Sequence, residues 1–310
     1  MSSPKSIIVS APGKIHLLGE HTVVYGKPAI LATVNLKVTA AISKGIPNEN
    51  PLRKIIEKIV KKELCLKQLP PYQIEITSQL PVGVGLGSSA AYCAAYIAAL
   101  LSFLKVKWDL ALVNKLTYEA EKVFHGNPSG GDNSTVVHGG LVWFRKEHSD
   151  LKIIQPLPFS IPKKLAKNFV LINTGKPKET TKGMVELVRV KRQGGRAKFQ
   201  RIFDSQEQLV KDLLPAIQNG DEKELMRIIK EGERNLEKIG VVSSFVKKII
   251  RQIEKAGGTA KICGAGGKIH ATGILLCYHP TPSVVNNTAK SFNLNYFKTA
   301  LGVEGLRLES

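Results

Sequence analysis

The segment PVGVGLGSSA at 81–90 restricts what this chain can become more than any other stretch. Gly83, Gly85 and Gly87 alternate directly after YQIEITS (72–78), which reads as a strand, and directly before a small-residue run opening on Ser88 and Ser89. Glycines permit a tight backbone path that turns N–H groups onto an anion. A helix N-terminus behind the loop adds orphan donors and the positive end of its dipole. Strand, glycine loop and helix together therefore read as a phosphate cradle. Either serine is placed to cap the helix, and either hydroxyl to reach a Mg²⁺ ion riding on the phosphates. No lysine follows, so this is not the G-x-x-x-x-G-K-[ST] loop, and three alternating glycines break the dinucleotide spacing. The plain alternative is a flexible turn ending in a serine cap.

Around the loop the pattern is mixed. IIVSAPGKIHLLGEH reads as a β-rich run, a Pro-Gly break and a second short apolar run, and strands are expected at 29–42, 139–144, 151–157, 168–174, 259–263 and 269–278. Helical spacing predicts elements at 51–64, 88–104, 108–124, 180–192, 198–217, 221–238 and 243–256. The helix at 108–124 stops at His125-Gly126-Asn127-Pro128. A length of 310 residues with Pro156, Pro158 and Pro162 near its middle fits an α+β protein of two domains, 1–160 and 161–310.

Composition removes several classes. Cys65, Cys93, Cys263 and Cys277 form no CxxC pair, which argues against a zinc cluster or a disulfide framework and fits free thiols in a cytoplasmic protein. The first apolar run is too short for a secretory leader, and the Ala-rich stretch at 90–104 suits a buried core helix rather than a membrane span. The formal net charge of +20 draws heavily on 161–201, with twelve Lys or Arg against two Glu. That stretch lacks interleaved aromatics, so a solvated basic face is expected over a nucleic-acid site. A positive field that draws in anionic substrates is the third reading.

Three further segments hold groups suited to chemistry. In APGKIHLLGEHTVVYGKPA (11–29), Lys14 after Pro-Gly is a fixed cation, and Glu20 and His21 follow the Gly19 turn. In EAEKVFHGNPSGGDN (119–133), Glu119 and Glu121 cannot share a helix face, so one is solvated. Asp132 lies there in a Gly/Ser-rich turn, where a carboxylate either enters a cleft or caps a helix. In KICGAGGKIHATG (261–273), a strand bends through glycines into another strand, bringing backbone close to a ligand or to the first glycine loop, or making a simple hairpin.

Taken in order, PGKIHLLGEH, PVGVGLGSSA, GNPSGGDN and CGAGG resemble the GHMP kinase superfamily over about 6–278, and GEHTVVYGKPA with HGNPSGGDN looks most like its mevalonate kinase branch. The galactokinase pattern would continue after GEHT with an acidic-aromatic pair, where Val23-Val24-Tyr25 stands here. The resemblance implies a two-domain GHMP fold with a cleft between the domains and a left-handed βαβ unit in the first. It also implies ATP and Mg²⁺ as cofactors and mevalonate as substrate. Phosphomevalonate, homoserine and sugar kinases are the alternatives, and a degenerate nucleic-acid binder the remote one.

By the same resemblance Pro81, Gly83, Gly85, Leu86, Gly87, Ser88 and Ser89 hold the nucleotide, and Ser89 and Glu121 hold the metal. Asp132 accepts the C5 hydroxyl proton beside Lys14, which keeps Asp132 ionised. Glu20, His21 and Thr180 line the substrate site, and Arg196 from the basic stretch is the partner expected for the carboxylate. A homodimer without a nucleic-acid or membrane partner is the family habit. One departure stands out: Lys268, Ile269 and His270 follow GAGG, where the family carries a longer glycine run.

Overall fold

The computed structural model describes residues 6–126, 128–148 and 151–309, and in it the two N-terminal apolar runs are one strand, β1 (Ile7–Leu18). Pro12 and Gly13 do not end it. They are absorbed by a register shift, Pro12 pairing Lys37 and Gly13 pairing Val34 on β2 (Pro28–Lys44). The expected break at this point is thus a bulge inside a continuous strand, which leaves Lys14 on ordered backbone.

The long β2 organises the first sheet. β1 runs along one side of it. On the other, β4 (Leu141–Lys146) pairs with its start and β3 (Tyr72–Ser78) with its end. β5 (Lys152–Pro156) and β10 (Arg307–Leu308) close the two edges. A second sheet has the order β7 (Thr259–Ile262), β8 (Ile274–Tyr278), β6 (Phe169–Asn173), β9 (Asn295–Lys298). The chain passes from the first sheet to the second in the proline-rich stretch between β5 and β6. It also returns: Val34 bridges Leu301, Gly139 bridges Glu304 and β1 pairs β10. Residues 301–308 therefore pair with the first sheet.

The helices follow the expected pattern with one addition. α1 (Arg53–Glu63), α2 (Ser88–Phe103) and α3 (Leu110–His125) join β3 and β4 to the first half. α2 is the buried core helix its alanines foretold, with Ala90 and Ala94 to Leu101 closed to solvent. No helix among the described residues is long and apolar enough to cross a membrane. The addition is α4 (Gly131–His138), whose eight residues start on glycine and carry no amphipathic stripe. Asn127, in the stop after α3, lies outside the described residues. Beyond the short α5 (Lys163–Ala166), α6 (Thr181–Gln193), α7 (Arg196–Asn219), α8 (Glu222–Ile239), α9 (Ser244–Lys255) and α10 (Pro282–Ser291) pack with the second sheet. The strand expected over 269–278 starts at Ile274. Glu179 accepts the N–H groups of Lys268 and Ile269, and Gly273 has φ 84°, so the preceding residues are held as a loop.

Candidate active site

The glycine loop lies between β3 and α2, with Gly83, Gly85 and Gly87 at φ 75°, 95° and 67°. Only glycine takes that left-handed path without strain. Gly87 is itself the N-cap of α2 and no side chain caps the helix, so neither serine plays the expected capping role. A helix N-terminus placed directly behind a glycine loop turns its positive dipole end toward an anion.

Each glycine also clears room for a neighbour. A Cβ on Gly87 would stand 2.9 Å from Cγ of Lys14, and one on Gly85 3.0 Å from the Cys263 carbonyl. A Cβ on Gly83 would stand 3.1 Å from Cδ and Cε of Lys176, so that lysine lies over the loop from the β6–α6 connection. The Ile274 amide donates to the Val84 carbonyl at 3.1 Å. The second glycine-rich bend thus supports the first, as well as joining β7 to β8 as an antiparallel hairpin.

Lys14 belongs to this assembly through backbone and side chain alike. Its N–H donates to the Leu86 carbonyl at 2.9 Å, and its ammonium stands 3.0 Å from Oδ1 of Asp132 in the first turn of α4. Lys14 is buried, while the Asp132 side chain is 36% exposed. The result is an ion pair with a partly exposed carboxylate and a buried cation braced against the glycine loop. Behind Asp132 lies a small apolar cluster of Ala29, Leu31, Val142 and Phe144, on which Gly131 rests.

The two glutamates of α3 divide as the helical spacing requires. Glu119 pairs with Lys122 at the surface, while Glu121 is buried. Burial pushes the Cys93 thiol up, and the Glu121 charge adds to that shift. Glu121 therefore faces the side of α2 that bears Cys93, one turn beyond Ser89. A carboxylate and a hydroxyl at the head of the phosphate-binding helix suit a hard, oxygen-seeking cation such as Mg²⁺. Among the described residues no cluster of three or more His, Cys, Asp or Glu offers an all-protein metal cage.

Glu20 and His21 do not stand free in a cleft. Glu20 is an ion-pair partner of Lys261 on β7, and both side chains are closed to solvent. Burial alone would depress the Lys261 ammonium, but Glu20 beside it, with Cys263 and Glu233 nearby, offsets this and the net shift is upward. His21, at φ 60°, makes a 2.9 Å hydrogen bond from Nε2 to the Ala265 carbonyl. A carbonyl only accepts, so Nε2 carries the proton. Burial holds the ring below its ordinary pKa despite that bond. Both residues thus tie the end of β1 to the second sheet.

Thr180 caps α6 by accepting from the Gly183 amide, and Arg196 is exposed at the start of α7. Thr180 and Arg196 thus lie at the starts of two neighbouring helices of the second half. From the basic stretch, Arg192 instead stacks over Tyr25 at 5.1 Å. The other basic side chains of 161–201 are spread over α5, a loop, α6 and α7, mostly exposed, as a solvated face would be.

Sequence reasoning passed over three residues here: Lys176, Lys261 and His16. Lys261 had a signal, since a lysine inside an apolar strand must find a buried partner. Lys176 and His16 had none, because their significance comes from what packs beside them.

Comparison with known proteins agrees with this geometry. Residues 50–140 match the GHMP kinases N terminal domain, and residues 213–269 the GHMP kinases C terminal model. Residues 1–44 match a galactokinase galactose-binding signature. The chain is 31% identical over 274 residues to a mevalonate kinase of Archaeoglobus fulgidus, covering 84% of this chain and 89% of that protein. It is 25% identical to a mevalonate kinase of Homo sapiens, covering 98% and 95%. Among solved structures, the L. major mevalonate kinase in complex with R-mevalonate superposes with a TM-score of 0.82 at 21% identity, over 98% of this chain and 100% of that one. A Streptococcus pneumoniae phosphomevalonate kinase gives 0.73 at 18% identity, over 95% and 99%.

Proposed function

The chain belongs to the mevalonate kinase family of the GHMP kinases, and on that premise we propose how its cleft divides the work of phosphoryl transfer. The protein is an ATP-dependent kinase that phosphorylates the C5 hydroxyl of R-mevalonate. The observation that carries the assignment of roles is the Lys14–Asp132 pair, 3.0 Å apart and joined to the glycine loop through the Lys14 amide.

Phosphoryl transfer depends on positioning and charge neutralisation more than on covalent chemistry. The loop from Pro81 to Ser89 wraps the ATP phosphates with its amides, and Lys176 adds a cation over Gly83. Asp132 holds the C5 hydroxyl and takes its proton as the bond to phosphorus forms. Lys14 stabilises the negative charge that develops on that oxygen and on the transferring group. Ser89 and Glu121 would hold Mg²⁺, which when bound would neutralise phosphate charge. The apolar cluster behind Gly131 gives the methyl-bearing carbon of the substrate a dry wall. For the carboxylate, Arg192 takes the role expected of Arg196, because Arg192 is the one seated against the 22–25 turn. Glu20 and His21 act by holding β1 and the GAGG bend in register. Free thiols and family habit support a cytoplasmic homodimer, testable by light scattering on the purified protein.

The test is ATP consumption with R-mevalonate and Mg²⁺ in the wild type and in Asp132→Asn. The expected outcome is turnover in the wild type and a loss of at least about a thousandfold in the variant with ATP binding retained. Phosphomevalonate, galactose and homoserine complete the panel. Preferred turnover of any of these would overturn the substrate, and an active Asp132→Asn would overturn the role of the aspartate.

A further inference from the structure

His16 lies on the site's strand, and the roles above leave its ring nitrogens unused. It sits two residues beyond Lys14 on β1, paired with Leu31 of β2 as Lys14 is paired with Thr33. In a strand, residues two apart face the same way. Ile15 and Leu17 between and beyond them are closed in the core, so Lys14 and His16 point together to the opposite, site-bearing face. Leu31, beside His16, belongs to the apolar cluster under Gly131 and Asp132. Lys14, Asp132, Lys261 and His21 are the charged or titratable groups that act on its ring. Its own backbone carbonyl accepts from Lys261 at 3.4 Å.

Among the described residues nothing hydrogen-bonds the imidazole. Nδ1 is shut off from water and has no partner, while the residue as a whole keeps partial exposure. Buried polar atoms are nearly always satisfied, and one left open inside a site points to a ligand that satisfies it. Burial first, then the Lys14 ammonium, pushes the ring down to about 3, so it is a neutral group at working pH. A neutral imidazole offers one N–H and one lone pair. That pairing suits a hydroxyl, which can accept and donate in turn. A substrate that puts its reacting hydroxyl at Asp132 and its carboxylate toward a cation brings its remaining hydroxyl between them, over the strand that bears His16.

We propose that His16 is a specificity-determining residue that hydrogen-bonds the C3 hydroxyl of mevalonate. The inference rests on the substrate reading above and adds a second recognised hydroxyl to it. A site built to bond a substrate hydroxyl rejects the analogue that lacks it, because the site's own polar group is then left unpaired.

The experiment compares R-mevalonate with 5-hydroxy-3-methylpentanoate, which lacks only the C3 hydroxyl, in the wild type, His16→Leu and His16→Gln. The wild type is expected to favour mevalonate by about tenfold or more in kcat/KM. His16→Leu should lower that preference to within about threefold, with the loss in KM for mevalonate and not in KM for ATP. His16→Gln, which restores a donor and an acceptor, should recover part of it. A wild type that does not distinguish the two acids, or a His16→Leu enzyme that still does, overturns the inference while leaving the kinase assignment intact. Should His16→Leu not fold, an undiminished preference in His16→Val, which also lacks a donor and an acceptor and suits a strand, would overturn it equally. A wild type inactive on mevalonate would remove the substrate reading and this inference with it.

Discussion

Replacing Lys261 by Met tests the contact that joins the two sheets beneath the site. The ammonium is completely buried against the Glu20 carboxylate, and it also donates to the Ile262 carbonyl at 2.6 Å and the His16 carbonyl at 3.4 Å. The other nearby carboxyl, Glu233, is pushed up to about 8 by burial, so at pH 7 it is mostly protonated. Lys261 and Glu20 are therefore close to a balanced pair, and Met leaves a buried carboxylate with no counter-charge. Breaking a buried pair from one side costs about 3–5 kcal/mol, against a typical total of about 5–15 kcal/mol for a native protein. Part of the strain can be relieved if Glu20 takes up a proton, at about 1.4 kcal/mol per unit of pKa. The deficit should thus shrink as pH is lowered toward 5. Removing both charges in Glu20→Gln/Lys261→Met should recover about 1–3 kcal/mol relative to additive single losses. The assay is urea unfolding at pH 7 followed by far-UV circular dichroism and by the fluorescence of Trp108 and Trp143. A loss below about 1 kcal/mol in Lys261→Met, or strict additivity in the double variant, would refute the reasoning.

Two further outcomes follow from the same geometry. Lys176→Ala should raise KM for ATP by about fivefold, the share of one phosphate–cation contact of about 1 kcal/mol, while KM for mevalonate stays within twofold, as steady-state kinetics would read directly. The pH dependence of stability should carry the mark of His16, whose ordinary value is 6.5 and whose folded value is about 3. Above pH 6.5 neither state is protonated there and the residue adds no slope. Below it the unfolded chain takes up a proton that the native ring refuses, so stability is lost as pH falls from 6.5 toward 3. At pH 5 the loss amounts to at most about 2 kcal/mol, and His16→Leu should lose correspondingly less between pH 7 and pH 5 in thermal unfolding.

Much of the architecture was legible because it is written in local patterns. The glycine alternation at 83, 85 and 87 permits left-handed backbone without strain, and all three residues adopt it. The spacing of apolar residues located every long helix from α6 to α9 within a few residues. The division of Glu119 from Glu121 came from helical geometry alone, and burial separates them as expected. The elements that escaped lack a local period. α4 has eight residues and a glycine start, β10 has two residues, and the loop before β8 is fixed by a carboxylate ninety positions away in the chain.

What the sequence by itself determined is a strand–glycine loop–helix unit and an inventory of charged or titratable groups: Lys14, Glu20, His21, Glu121 and Asp132. Tertiary structure alone decided how those groups are used. Asp132 meets Lys14 because α4 begins over the strand that carries the lysine. Glu20 is withdrawn from any ligand because β7 presents Lys261 to it, 241 residues away. Lys176 comes to lie on Gly83, and His16 to face Asp132, only when the chain has closed on itself. The physical reason is range. Dihedral preference and side-chain periodicity act over a few residues, whereas ion pairing, desolvation and close contact depend on distance in space, which chain order does not record.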